Sequence, residues 1–298
     1  MKKTTPVVLA GLIFTVVFPS RVHAIVPGQT GEFPSTGPWS GTTNTGATWS
    51  LANCYVYQWN VLYGGTWYIN SAVAVAPNYL LTAGHVMPSG TTVNQCYTTI
   101  GGTTYTAVSD ITPPDDPGQS SAPDLCLIKV NKTLPGYNSL YSGSFSYGQS
   151  LFLTGYGLTG TYNSSAYYFT LNSGTDGVER WGTNSVYWTP YESGSSMIFG
   201  SSAYGVTTTF DAFLGNGDSG GGEFIKAGND WELAGINDGI YSNGVSGEYY
   251  ATAAIDVANY DSWINANITV PEPSSFTLLA VTSVGLLARR HRAVSSKR

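Results

Sequence analysis

The chain has 298 residues, with 12 Lys and Arg against 18 Asp and Glu and a formal net charge of −6. Between residues 25 and 270 only Lys129, Lys132, Arg180 and Lys226 are basic, whereas 17 of the acidic residues lie there. A surface that acidic stays soluble and repels nucleic acid and anionic lipid, so neither is expected as a partner of this portion.

The first 24 residues combine a basic start, Met1-Lys-Lys3, an apolar stretch from Val7 to Phe18, and the small-residue ending Val22-His-Ala24. This order predicts a cleaved secretory signal peptide, because the apolar run is too short to span a bilayer. From residue 25 onward Gly, Ser, Thr, Tyr and Asn dominate and long helical periodicity is almost absent. Short runs of β-branched, aromatic and aliphatic residues between turn clusters predict strands at Trp67–Val75, Leu125–Val130, Leu151–Thr154 and Trp231–Ile236. The Ser- and Tyr-rich stretch from Tyr137 to Tyr168 keeps enough apolar residues for ordered strands. Residues 25–270 suffice for one large β domain or two small barrels sharing a core. Near their end, Val257, Tyr260 and Trp263-Ile264 have the spacing of a helix burying one face.

Of the three histidines, His23 and His291 lie in the two ends, which leaves His85 in Leu81-Thr-Ala-Gly-His-Val86. Asn216-Gly-Asp-Ser-Gly-Gly221 sets Ser219 among glycines, and Asp124 opens the apolar run Leu125–Val130. These three residue types are those of a nucleophilic triad: imidazole takes the hydroxyl proton and a carboxylate orients the imidazole. One histidine and three scattered cysteines supply no zinc set, so no metal or other cofactor is expected. Cys54, Cys96 and Cys126 are an odd number; export permits one bridge, and Cys126 lies within the apolar run, so Cys54–Cys96 is the expected disulfide.

Leu81-Thr-Ala-Gly-His-Val86, Asp124-Leu-Cys-Leu-Ile128 and Gly217-Asp-Ser-Gly-Gly221, in the order His, Asp, Ser, resemble the trypsin-like (chymotrypsin-fold) serine peptidases. Thr154-Gly-Tyr-Gly157 is similar to the glycine-aromatic-glycine strand of that family's second barrel, and Val257–Ile264 to its closing helix. The resemblance implies an all-β fold of two six-stranded antiparallel barrels, the first over about residues 25–140 and the second over about 141–253, with a short helix at about 254–267. It implies a Ser-His-Asp endopeptidase acting through an acyl-enzyme on protein or peptide substrates, with catalytic His85, Asp124 and Ser219 and an oxyanion hole of Gly217 and Ser219 backbone N–H groups. The pocket-floor position falls on Phe213, which favours small or apolar side chains over basic ones. Asp238 falls in the pocket wall, near Asp124, or in a loop. Signal cleavage would expose Ile25-Val26, and the family's mature N-terminus pairs with the aspartate before the nucleophile, here Asp218; Pro27 stands where glycine is usual.

Three local departures accompany the resemblance: Gly84 in place of alanine, no cysteine after His85, and Gly222 in place of proline. Two other functions remain open, a non-catalytic surface or biofilm-associated binding protein and an esterase on the same triad. The absence of a Gly-x-Ser-x-Gly context argues against the esterase.

Val270-Pro-Glu-Pro273, the apolar stretch Phe276–Ala288 and Arg289-Arg-His-Arg292 resemble the PEP-CTERM sorting signal of Gram-negative bacteria. That resemblance assigns residues 270–298 to sorting or anchoring and implies export across the inner membrane to the periplasm, cell surface or extracellular matrix. Signal peptidase and an exosortase are then the processing partners, and a monomer is expected.

Overall fold

The computed structural model describes residues 26–27, 54–114, 122–163, 165–173, 177–193, 196–204, 211–242 and 244–268. The signal segment, Ile25 and the sorting tail with Phe276–Ala288 lie outside the described residues. Among the described residues no helix is long and apolar enough to cross a membrane.

A short strand β1 (Val26–Pro27) is followed by six strands: β2 (Val56–Tyr63), β3 (Thr66–Ala76), β4 (Tyr79–Ala83), β5 (Tyr97–Ile100), β6 (Thr103–Ile111) and β7 (Leu125–Val130). These six close into a barrel in the order β2-β3-β4-β7-β6-β5. Gly64-Gly65 and Gly101-Gly102, all at positive φ, form two of its tight hairpin turns, where a two-residue turn of this kind matches the strand twist. The first residues of β3, Thr66 to Tyr68, are exposed, whereas Ser71 to Ala76 are buried. That change of burial marks where the strand runs beneath the second half of the molecule.

The second half is a nine-stranded sheet rather than a six-stranded barrel. Its strands are β8 (Ser150–Gly155), β9 (Gly160–Asn163), β10 (Tyr168–Leu171), β11 (Arg180–Ser185), β12 (Trp188–Ser193), β13 (Ser196–Ser202), β15 (Gly222–Ala227), β16 (Asp230–Ser242) and β17 (Tyr249–Asp256). The extra strands arise because β17 has two partners along one edge: Phe169 of β10 pairs with Tyr249, and Ile198–Ser202 of β13 pair with Ile255–Ala251. The remaining strand, β14 (Ala212–Phe213), pairs antiparallel with β1. The N-terminal segment, expected in the first barrel, therefore crosses to the second half.

The strands anticipated from alternation lie within β3, β7, β8 and β16. The closing helix begins as a 3₁₀ turn (Val257–Tyr260), where the Asp256 carboxylate accepts the Ala258 N–H at 3.0 Å, and continues as α1 (Asp261–Ile268). Val257, Tyr260 and Ile264 are buried, as the spacing required.

One apolar core joins the halves, with Trp59, Leu81 and Leu127 from the barrel meeting Phe224, Leu233, Ile236 and Ile255 from the sheet. Fully burying side chains of this size stabilises the fold by about 1.5–3 kcal/mol each. The expected disulfide is not formed: Cys54, Cys96 and Cys126 are all buried thiols. The Cys96 Sγ donates to the Thr92 carbonyl at 3.5 Å, and the Cys54 Sγ lies 3.8 Å from Glu179 Oε1. Each sulfur is thus engaged by its own local neighbours instead of by the other.

Candidate active site

The pairing of β4 with β7 brings His85 to Asp124. Leu81 faces Leu127, Thr82 faces Cys126 and Ala83 faces Leu125, so the residues just past β4 meet those just before β7. His85 lies in a 3₁₀ turn (Gly84–Val86). Its Nδ1 is 2.6 Å from Asp124 Oδ2, and its backbone N–H donates to Asp124 Oδ1 at 2.5 Å. The Asp124 N–H donates to Ser196 Oγ at 2.8 Å, tying the loop to β13 of the second half.

Electrostatics follow from these contacts. The hydrogen bond with Asp124 holds His85 above its usual 6.5 against the opposing effect of burial, and the charges of Asp124 and Asp238 add to it. Burial pushes Asp124 up, but the hydrogen bonds from His85 and Asp238 and the imidazole charge outweigh it, so Asp124 lies below the usual 3.8. The pair therefore favours an ionised carboxylate beside a ring that gains a proton readily.

The loop that carries Ser219 meets β3 from the second half. Its carbonyl accepts the Ser71 N–H at 3.0 Å, while Ser71 Oγ donates to the Gly217 carbonyl at 3.1 Å and accepts the Tyr156 N–H at 3.0 Å. Thr82, three residues before His85, donates its hydroxyl to the Ser71 carbonyl at 2.8 Å. The serine loop is thus fastened to the strands that carry the histidine. Ser71 and Thr82 were not singled out from the sequence; a buried serine ahead of the apolar stretch of β3 was the available signal.

The N–H groups of Gly217 and Ser219 donate no hydrogen bond among the described residues, whereas the N–H groups of Asp218, Gly220 and Gly221 all do. Gly217 holds φ +93, a conformation that favours glycine. Ser219 Oγ likewise makes no hydrogen bond among the described residues.

Asp218 is fully buried, with its carboxylate accepting the Gly157 N–H at 2.8 Å and the Gly215 N–H at 2.7 Å. Its expected partner Ile25 lies outside the described residues, but neighbouring Val26 pairs with Phe213, five residues before Asp218. Phe213 is itself fully buried and stacks on Phe169 with centroids 4.7 Å apart. It packs in a small aromatic cluster with Tyr162 and Phe169.

Asp238 of β16 lies beside Asp124 and His85, one of the positions left open by the sequence. Its Oδ1 is 3.9 Å from His85 Nδ1. Burial pushes it up to about 7, with the hydrogen bond and charge of Asp124 adding and His85 opposing. His85, Asp124 and Asp238 place one ligand atom each within 4.8 Å of one another, a set able to hold a metal ion. Here His85 Nδ1 is engaged by Asp124.

Residues 51–264 match the family profile described as trypsin. The chain belongs to the trypsin family. Residues 269–293 match the PEP-CTERM protein-sorting motif. No curated protein sequence matches the chain significantly. Among solved structures, neuropsin, a serine protease expressed in the limbic system of mouse brain, is 17% identical with a TM-score of 0.49, covering 72% of this chain and 94% of its own. A scabies mite inactivated protease paralogue is 14% identical with a TM-score of 0.51, covering 72% and 93%. This last likeness shows the shared fold. In this trypsin-family chain the site lies where the barrel meets the second sheet.

Proposed function

We propose that the trypsin-family domain is an active serine endopeptidase. The observation that carries this reading is the short, two-point engagement of His85 by Asp124, with Ser219 fastened through Ser71 to the same strands. In this reading Ser219 Oγ attacks the scissile carbonyl carbon, and its proton passes to the ring nitrogen of His85 that faces away from Asp124. The carbonyl oxygen becomes an oxyanion that accepts the Gly217 and Ser219 N–H groups, each worth about 3–4 kcal/mol in sites of this kind. His85 then protonates the leaving amine, the C–N bond breaks, and an acyl-enzyme remains on Ser219. Water attacks that ester with His85 as base, releasing the acid and restoring the serine. Asp124 stays ionised throughout, holding the ring tautomer and offsetting the imidazolium charge.

The scabies mite paralogue is described as inactivated, so the fold by itself does not decide activity. Here all three reactive residue types are present. The aromatic base at Phe213 favours small or apolar side chains over Arg or Lys, which have no carboxylate to pair with there.

The sorting motif supports export to the periplasm, cell surface or extracellular space, with Phe276–Ala288 as a transient tether and cleavage near Pro271-Glu-Pro273 by an exosortase. Mass spectrometry of protein from its host then finds a C-terminus near residue 273; a chain ending at Arg298 in the inner membrane contradicts this.

The test of catalysis is hydrolysis of casein and a peptide library by wild type and single variants. Ser219→Ala is expected to lower kcat by about 10⁴–10⁶-fold, and His85→Ala to do comparable damage without adding to it in the double variant. Wild-type turnover by Ser219→Ala overturns the assignment.

A further inference from the structure

Two carboxyl groups face one imidazole in this site, and the mechanism above uses only one of them. The carboxylate oxygens of Asp124 and Asp238 lie within 4.8 Å of each other and of a His85 ring nitrogen. Two ionised carboxylates that close repel each other, which favours a proton on one of them. Asp124 is the poorer holder, because its two oxygens already accept the backbone N–H and the ring nitrogen of His85. Asp238 sits 3.9 Å from His85 Nδ1, beyond hydrogen-bond reach.

We propose that Asp238 is a positioning residue that carries this proton at neutral pH, donates its carboxyl O–H to Asp124, and by losing it adds a second negative charge facing His85. The proposal rests on the endopeptidase reading for its kinetic consequence, but not for its chemistry.

The surroundings restrict the exchange to few groups. Asp124 comes from the loop before β7 and His85 from the turn after β4, and these are the charged groups that act on Asp238. On β16 itself, Tyr241 senses the charge of Asp238 and also meets Tyr191 of β12. On the neighbouring strand β17, Ala253 and Ala254 face Gly239 and Asn237, and neither titrates. Asp256 of β17 pairs farther along, at Gly235. A bulge between Asn237 and Gly239 turns Asp238 out of the regular alternation of β16 and toward the histidine. Burial pushes Asp238 up to about 7, which places loss of its proton in the same pH range as the loss from His85. The two protons then leave as a coupled pair, and an ionised Asp238 stabilises the imidazolium, delaying formation of the neutral base.

The experiment is an NMR titration of the His85 ring in the full chain, assigned against His85→Ala, for wild type, Asp238→Asn, Asp238→Ser and Asp238→Ala. The Asn and Ser side chains still donate to Asp124 but cannot ionise. Both are expected to lower the His85 midpoint by about one pH unit and to convert a two-step curve into one step. The acid limb of kcat/KM should move down with it. Asp238→Ala, which leaves Asp124 without its donor, should lower plateau kcat by about tenfold, and the Asn and Ser variants should restore it. Equal His85 midpoints in wild type, Asp238→Asn and Asp238→Ser overturn the proposal. If wild type hydrolyses nothing, the endopeptidase reading falls while the titration still decides the role of Asp238.

Discussion

At the scale of single residues the molecule stands on how buried charge is compensated. In the proposed mechanism His85 must be neutral to accept the Ser219 proton, and its contact with Asp124 holds it above 6.5. The sign follows directly: a raised imidazole stays protonated to higher pH, so the acid limb of kcat/KM is predicted above pH 6.5, measured on a peptide substrate. A limb below that value contradicts the hydrogen bond as drawn. Glu223 offers the opposite case, a fully buried carboxyl whose two oxygens have no hydrogen-bond partner among the described residues. Burial pushes it up to about 8 from 4.5, so the folded chain keeps a proton that the unfolded chain has lost across that window. Its contribution to stability is full below pH 4.5 and declines as the pH rises toward 8. Glu223→Met should therefore raise Tm at pH 8 and flatten the fall of Tm between pH 5 and 8; Glu179, also pushed up to about 8 by burial, leaves a residual slope. An unchanged slope in the variant would show that Glu223 finds a partner in solution. The meeting of His85 with Asp124 was legible because each sits in a short motif whose neighbours are informative. The unpartnered burial of Glu223 was not, since a glutamate in a strand normally faces water.

Elements position what the residues do. The β4–β7 register carries His85 to Asp124, and the Ser71–Gly217–Ser219 hydrogen bonds carry the serine loop to the same strands. Gly220, at φ +81, packs so closely on Thr82 Oγ1 and the Ser71 carbonyl that a methyl group cannot fit. Gly220→Ala should lower Tm and reduce kcat far more than it changes KM, because it displaces Ser219 and the adjacent N–H groups rather than the substrate cleft. Thermal unfolding and steady-state kinetics check both; wild-type kcat in a folded variant would mean that the loop can shift without loss. Strands were readable where apolar and polar residues alternate or run in short apolar blocks, as in β7 and β8. The place of Asp238 was not, because a one-residue bulge reverses which side of a strand each later side chain takes. The second half also exceeds six strands, since sequence spacing does not reveal that β17 divides its edge between β10 and β13.

Across the whole molecule the ends bear on the centre. β1 crosses to pair with β14, so the N-terminal segment ends near the loop that carries Asp218. If the Ile25 ammonium formed by signal cleavage pairs with Asp218, one added residue before Ile25 should nearly abolish activity, since an unpaired buried charge costs about 3–5 kcal/mol. Full activity with the extension would show that the Asp218 contacts with Gly157 and Gly215 suffice to order the loop. The expected disulfide failed at this scale: cysteine counting takes no account of the core, and here three thiols are buried within it. The central claim is that Ser219 is activated by His85 and Asp124. Its most direct measurement is labelling of the purified protein with a fluorophosphonate, read by peptide mass spectrometry. The account predicts a single phosphonylated residue, Ser219, with labelling lost in His85→Ala and in heat-unfolded protein. An unlabelled Ser219 in the folded wild type, or equal labelling in His85→Ala, would contradict it.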